Sequence, residues 1–393
     1  MIFNSVTFVV FLIIVVVLYW QLPKRPRLWL IFLSSLTFYG FWRWEFLSIV
    51  LLSTITDYYV SIYLGKTDDP VKRKQLLLVS LILNLGLLLY FKYLIFFTDN
   101  LVGLINFLGF PLDVPTLKII LPLGISFYTF QTISYTVDVY RGHIKPIKDF
   151  VLYGSYVTFF PQLVAGPILR ASEVVEQLSF RPSFKLEFIS EGLKRILYGF
   201  FLKVVLADNI APLVDDGYAA EVLSLGALDV WVLAFLFGFQ IYFDFAGYSH
   251  IAIGCAKLMG IHFPENFNFP YAARSFKAFW KRWHISLSSW IRDYLYLPLA
   301  GAKVTNPELK STGGIDVSQF QKIISQKEKN KALFLTWAIM GFWHGANWTF
   351  IVWGLYHALM VFLERQLSGL RKKAGILNKA FVGWMITIPF AML

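Results

Sequence analysis

The sequence predicts an all-α integral membrane protein, a polytopic helical bundle with re-entrant and interfacial helices. Three observations predict it. Of the 393 residues 57% are hydrophobic and 18% aromatic, and only 15% are charged, against roughly a quarter in soluble domains. One soluble core has no room for that much apolar surface, so lipid must cover the rest. Apolar runs of about the 20 residues needed to span a bilayer lie at 2–20, 28–46, 47–64, 75–97, 117–140, 226–253 and 332–363. The positive charge, a formal net of +12, gathers in short loops between them. That pattern fits basic cytoplasmic loops, so no nucleic-acid partner is expected.

The start, "MIFNSVTFVV", has neither a basic n-region nor a small-residue cleavage site, so 2–20 reads as a retained helix and not a signal peptide. The basic loops "PKRPR" (23–27), "KTDDPVKRK" (66–74) and "RGHIKPIK" (141–148) are separated by two spans and then two. All three therefore fall on one face, which predicts a multi-pass protein with its N-terminus outside. "FFPQLVAGPILR" (159–170) carries Pro161, Gly166 and Pro167. Broken backbone at membrane depth survives only inside protein or beside water, so a re-entrant or interior element is expected. Residues 171–196 are charged and amphipathic and are expected at the cytoplasmic surface. Residues 301–331 form one long soluble loop inside a single domain, 1–393. The last apolar run, 380–393, is too short to span, which predicts a chain truncated at its C-terminus.

Three stretches bring polar chemistry into this apolar setting. Residues 276–299, taken as a helix at 100° per residue, place Phe276, Phe279, Trp280, Trp283, Leu287, Trp290 and Tyr294 on one side. Lys277, Lys281, His284, Ser288 and Arg292 line the other. The stripe reads either as a positive-inside anchor or as the mouth where an anionic donor docks. In 237–254, Gln240, Asp244 and Tyr248 share one helix face, and in 122–142 Tyr128, Gln131, Tyr135 and Asp138 share another, by the i, i+4 rule. Each residue alone reads as interhelical hydrogen-bond glue; the two stripes together predict a polar cavity.

The third stretch is "MGFWHGANWTF" (340–350), where His344 sits inside a run otherwise apolar. A histidine at that depth costs several kcal/mol without partners or water. Gly341 and Gly345 flank it at a spacing that admits a neighbouring backbone, and Asn347 and Trp348 fall one turn later on its side of a continuous helix. An imidazole withdrawn from water is held neutral and able to accept a proton, which is what a general base acting on a hydroxyl needs. His143, His250, His262 and His357 have no comparable setting. Cys255 is the single cysteine, which excludes an internal disulfide, a thiol metal cluster and a CxxC redox pair. No nucleophile elbow, P-loop, GxGxxG, HExxH or HxxxxD motif occurs, and no metal-ligand spacing is present.

These blocks, with "NFNFPYAARSFKAFWKRWHISLSSWIRDYLYLPLAG" and "GFWHGANWTFIVWGLYH", resemble the membrane-bound O-acyltransferase family, in the bacterial branch that serves alginate O-acetylation. The resemblance covers nearly the whole chain. It implies helices around a transmembrane tunnel, with the family's invariant histidine at His344 and its second histidine at His284, both catalytic. It also implies an acetyl donor from the cytosol, acetyl-CoA or another acetyl thioester, with no bound cofactor and no metal. The acceptor is a cell-surface polysaccharide, reached with a periplasmic or extracellular partner acetyltransferase, at the bacterial inner membrane. Asp244, Gln240, Asn347, Lys281, Arg292, Ser288, Gln131 and Tyr135 are the expected donor-binding or tunnel-lining residues. Two departures stand out: a longer loop after "YLPLAG", and Ala300 where glycine is usual. Two rival readings are a D-alanyl transferase acting on teichoic acids and a non-enzymatic transporter using the same polar interior. The transporter class often shows two related halves, and no such symmetry is visible here.

Overall fold

Short polar signals set where the helices begin. The computed structural model describes residues 1, 3–112, 118–180, 182–221, 224–302 and 325–373, with 383, 387–389 and 391 beyond them. Helix α1 (Val6–Gln21) starts where Ser5 Oγ accepts the Phe8 amide at 3.2 Å. After α2 (Lys24–Gly40) and α3 (Leu47–Leu64), helix α4 (Pro70–Phe107) opens on Asp69, whose carboxylate accepts the Val71 amide at 2.9 Å, with Pro70 in the first turn. Proline suits that position because its missing N–H would have no partner there. Gly124, at φ +72°, turns the chain into α5 (Ile125–Tyr140). The helices α6 (Phe150–Thr158), α7 (Ala171–Ser179), α8 (Leu186–Ala219) and α9 (Ala227–Leu258) follow. Then come the short α10 (Phe276–Trp280) and α11 (Ile285–Ile291), and last α12 (Gln326–His344) and α13 (Trp348–Lys373). A capping box starts α12: Ser325 Oγ accepts the Glu328 amide while the Glu328 carboxylate accepts the Ser325 amide. Those donors hold the Glu328 carboxyl below the usual carboxylate range.

Among the described residues there is no strand, and four helices are long and apolar enough to cross a membrane: Trp44–Leu64, α4, α8 and α9. The chain is an all-α polytopic membrane protein. Its helices fall into two compact units, one of Met1–Trp44, Gly154–Trp290 and Met360–Leu393, the other of Glu45–Tyr153 and Ile291–Leu359.

In the first unit α8 and α9 pack backbone against backbone. A Cβ on Gly199 would lie 2.6 Å from the Gly247 carbonyl oxygen, and one on Gly254 would lie 2.8 Å from that of Gly192. Two glycine pairs at the same interval on antiparallel helices let the axes approach as only small residues permit. The broken stretch 159–170 is here an interior element, as expected: Phe159, Phe160, Gln162, Leu163, Ile168 and Leu169 are all buried. Its backbone is served from its surroundings, the Phe160 amide by Ser35 Oγ at 3.1 Å and the Ile168 amide by Ser286 Oγ at 2.9 Å.

In the second unit α3, α4 and α5 meet over a buried polar cluster. Asn84 donates to Asp57 Oδ2 at 2.7 Å and accepts from Ser53 Oγ at 2.6 Å, while Thr136 Oγ1 reaches Asp57 Oδ1 at 3.3 Å. Arg73 closes two helix ends at once, donating to the carbonyls of Leu64 and Tyr140 at 2.5 and 2.7 Å. Cations at helix C-termini satisfy carbonyls that have no partner within the helix.

The structure corrects three expectations. Residues 186–196 do not end an isolated amphipathic segment: they open α8, which runs on through the apolar stretch 196–207 to Ala219. Residues 276–299 are not one helix. The chain breaks after Trp280, resumes at Ile285, and passes through a π turn at Arg292–Tyr296. Residues 332–363 are not one span, because the helix stops at His344 and restarts at Trp348. Most of the expected loop 301–331 and of the final run 380–393 lies outside the described residues.

The glycine contacts make opposite predictions at two positions. Gly199→Ala must push α8 off α9 and should lower stability by about 1–3 kcal/mol, the usual cost of overpacking. Gly86→Ala, on α4 with nothing within 4 Å of the added carbon, should raise it by about 0.5–1 kcal/mol. Thermal unfolding of the detergent-solubilised protein reads both.

Candidate active site

The break between α12 and α13 is built by Gly345, Ala346 and Asn347. At Gly345 an added Cβ would meet the Phe350 ring at 2.1 Å, so any larger residue must push that ring aside. Asn347 starts the second helix: its Oδ1 accepts the Thr349 amide at 3.0 Å and the Thr349 hydroxyl at 3.1 Å. The two helices then fold back on each other through Gly341 and Gly354. A Cβ on Gly341 would lie 2.2 Å from the Phe350 carbonyl oxygen, and one on Gly354 would lie 2.2 Å from that of Trp337.

His344 is therefore the last residue of α12, at the tip of a tight helical hairpin. Trp343 meets its ring at 4.8 Å and 68°, and Trp353, from α13, at 5.2 Å and 81°. Both are edge-on contacts that fix the plane of the ring without using its nitrogens. The residue is exposed. Behind it Trp353 also meets His357, which is buried and stacks on Trp337 at 5.6 Å. Such an imidazole can take a proton from a hydroxyl and return it to a leaving group.

His284 is built differently. It is buried, 3% exposed, and holds φ at +42°, a left-handed conformation uncommon outside glycine and asparagine and costly enough that its surroundings must enforce it. They do so through Asn266. The His284 Nδ1 and Asn266 Oδ1 atoms are 3.1 Å apart, and Ser286 Oγ donates to the same oxygen at 2.9 Å. Asn266 Nδ2 donates to Ser249 Oγ at 3.0 Å, and the Ile285 amide donates to the Asn266 carbonyl at 2.8 Å. Phe245 closes the ring edge-on at 4.6 Å.

With this geometry established, comparison with known proteins decides the family. The model of the membrane-bound O-acyltransferase family matches residues 36–315 and 321–393. The chain belongs to the membrane-bound O-acyltransferase family. It is similar to the probable alginate O-acetylase AlgI of Azotobacter vinelandii, 39% identical over 93% of this chain and 69% of that protein. It is 35% identical to the peptidoglycan O-acetyltransferase of Helicobacter pylori, over 94% of this chain and 70% of the relative. A teichoic acid D-alanyltransferase of Streptococcus thermophilus is 31% identical over 65% of this chain and 61% of its own length. This member of the family is an O-acyltransferase of the membrane.

The remaining expected residues fall into distinct settings. Gln131 and Tyr135 are buried, and the Tyr135 hydroxyl donates to Ser61 Oγ at 3.1 Å and accepts the Ile147 amide at 2.9 Å. Asp244 is held at 2.6 Å by Lys203, which also grips Asp208 at 2.6 Å. Gln240 sits one turn before Asp244, with its Oε1 buried and without a hydrogen bond among the described residues. Lys281 is exposed, Ser288 donates to the Trp283 carbonyl at 3.2 Å, and Arg292 forks onto Asp293 at 2.6 and 3.1 Å. The basic stripe of 277–292 is not a single face, because His284 is turned inward at the break. Sequence reasoning missed Trp353, Asn266, Lys203 and Lys92. Only the lysines left a signal, as isolated cations in apolar runs.

Asn266 gives this arrangement a direct test. Asn266→Leu strips partners from His284, Ser286 and Ser249 together and should destabilise by about 1–3 kcal/mol for each buried group left unpaired. Lys281→Ala, on an exposed side chain, should stay within about 0.5 kcal/mol. Unfolding temperatures of the two variants in one detergent measure the contrast.

Proposed function

We propose that this chain is an O-acetyltransferase that moves acetyl groups from a cytosolic thioester, acetyl-CoA or a carrier-bound acetyl group, across the membrane for O-acetylation of a cell-surface polysaccharide. The observation that carries the reading is the placement of His344 as the last residue of α12, at the tip of a broken helix pair with its ring between Trp343 and Trp353. The family's acyl-transfer chemistry and the acetylase names of its relatives give that imidazole a task.

In this mechanism His344 takes the proton of an acceptor hydroxyl as its oxygen attacks the thioester carbonyl. The C–S bond then breaks, and the imidazolium returns the proton to the departing thiolate. A water-poor tunnel around the pair keeps the thioester from hydrolysis and holds donor and acceptor in line. His284, pinned by Asn266, orients the donor, with Lys281 and Arg292 drawing its negative charge. Asp244, Gln240, Ser288, Gln131, Tyr135 and Asn347 shape the passage and its hydrogen bonds.

The chain lies in a bacterial inner membrane with its N-terminus outside. The reading is supported by the basic stretches 23–27, 66–74 and 141–148, which two apolar runs separate in each case, the spacing expected of segments that share the cytoplasmic face. An extracytoplasmic acetyltransferase receives the acetyl group or directs it to the polymer. The similarity to a teichoic acid D-alanyltransferase supports a second reading within the same chemistry, in which the donor is an aminoacyl thioester on a carrier protein.

The test is the acetyl content of surface polysaccharide in cells expressing His344→Ala at wild-type protein levels. Loss of about a hundredfold or more is expected for removal of a general base; unchanged acetylation overturns the assignment. Labelled acetyl-CoA and an aminoacyl carrier, offered in turn to the same membranes, separate the two donors.

A further inference from the structure

Lys92 is the single charged residue between Lys74 and Asp99, inside the longest apolar helix among the described residues. An ammonium there is costly unless something holds it. It forms no ion pair among the described residues. Its Nζ donates to the backbone carbonyl of Trp343 and lies 5.0 Å from the centre of the Trp343 ring. That carbonyl belongs to the residue before His344, in the last turn of α12, where no amide of the same helix can reach it. Had the helix continued, the Asn347 amide would have served; it is turned instead to the Gly345 carbonyl at 2.8 Å.

The neighbours of Lys92 on α4 grip the same tip. Tyr93 stacks on Phe342 at 4.5 Å, and Phe96 meets both Phe342 at 5.2 Å and Trp348 at 5.7 Å. Asn100 Oδ1 accepts the Trp348 indole N–H at 2.9 Å. Lys92, Phe96 and Asn100 are spaced at i, i+4 and i+8 and share one face. A π turn at Leu89–Tyr93 lies at the start of this face. The extra residue of such a turn rotates everything after it, and π turns of this kind gather at functional sites.

We infer that Lys92 is a positioning residue for His344. Its ammonium fixes the peptide between Trp343 and His344, and the face it heads moulds the helix break so that the imidazole points at the reacting groups. The inference rests on the general-base reading of His344. It accounts for a membrane-depth cation whose one hydrogen bond goes to the backbone beside that histidine.

The experiment compares wild type, Lys92→Met, Lys92→Arg and His344→Ala in purified, lipid-reconstituted protein with an acetyl thioester and acceptor. Lys92→Met should lower kcat between about tenfold and a hundredfold, the cost of misplacing a catalytic group by about an ångström, with KM for the thioester unchanged. Lys92→Arg keeps a donor to the carbonyl and should restore most of kcat. The modification rate of His344 by diethyl pyrocarbonate, read by mass spectrometry, should change in Lys92→Met while that of His143 does not. A kcat per folded protein equal to wild type overturns the inference. So does a loss of kcat that disappears when Gly86→Ala restores thermal stability to Lys92→Met, because that marks a purely structural role. Full activity in His344→Ala would instead remove the functional reading beneath it.

Discussion

A helix that stops inside an apolar slab leaves carbonyls and amides that lipid cannot satisfy. This constraint organises the second unit. At the break after His344 the protein supplies partners to the Trp343 carbonyl from Lys92 and to the Thr349 amide from Asn347, and Asn100 holds the Trp348 indole beside them. Gly341 and Gly354 press the two halves together until backbone touches backbone. Among the described residues the imidazole at the end of this hairpin is packed by the Trp343 and Trp353 rings.

The first unit meets the same constraint with side chains. Around His284 a single amide, that of Asn266, serves a histidine, two serines and a strained turn. Asparagine suits this role because it presents an acceptor and a donor on one rigid group. Along α8 and α9 the polar load is ionic instead, with Lys203 shared by Asp208 and Asp244. The π turn at Phe201–Ala207 puts Lys203 and Asp208, five residues apart, on the same face. Each device gives polar groups in an apolar setting partners of their own, a shared amide in one and a shared ammonium in the other.

Much of this was legible from residue order, and the failures have physical causes. Apolar length located Trp44–Leu64, α4 and α9, and Pro161, Gly166 and Pro167 marked the broken interior stretch, because each of those signals is local. Helix α8 escaped because Glu187, Glu191, Lys194 and Arg195 look like a surface face when nothing shows that α9 lies beside them. The break at 345–347 was written in the sequence: glycine then asparagine is a stop followed by a start. The aromatic residues on either side outweighed it, since periodicity carries through a short interruption. The inward turn at His284 left no signal, because a left-handed histidine is imposed by Asn266 from eighteen positions away.

The ion cluster of α8 and α9 also bears on how the protein reaches its membrane. Lys203 and Asp208 lie on one helix and pair with each other there, whereas α9 leaving the ribosome alone would carry Asp244 as a naked carboxylate. A charged side chain raises the barrier to partitioning of an isolated segment by several kcal/mol, whereas in the paired hairpin Asp244 gains Lys203 as a counter-ion along a seam closed by glycines. Insertion of α9 beside an α8 already in place therefore spares Asp244 an unpaired passage into lipid.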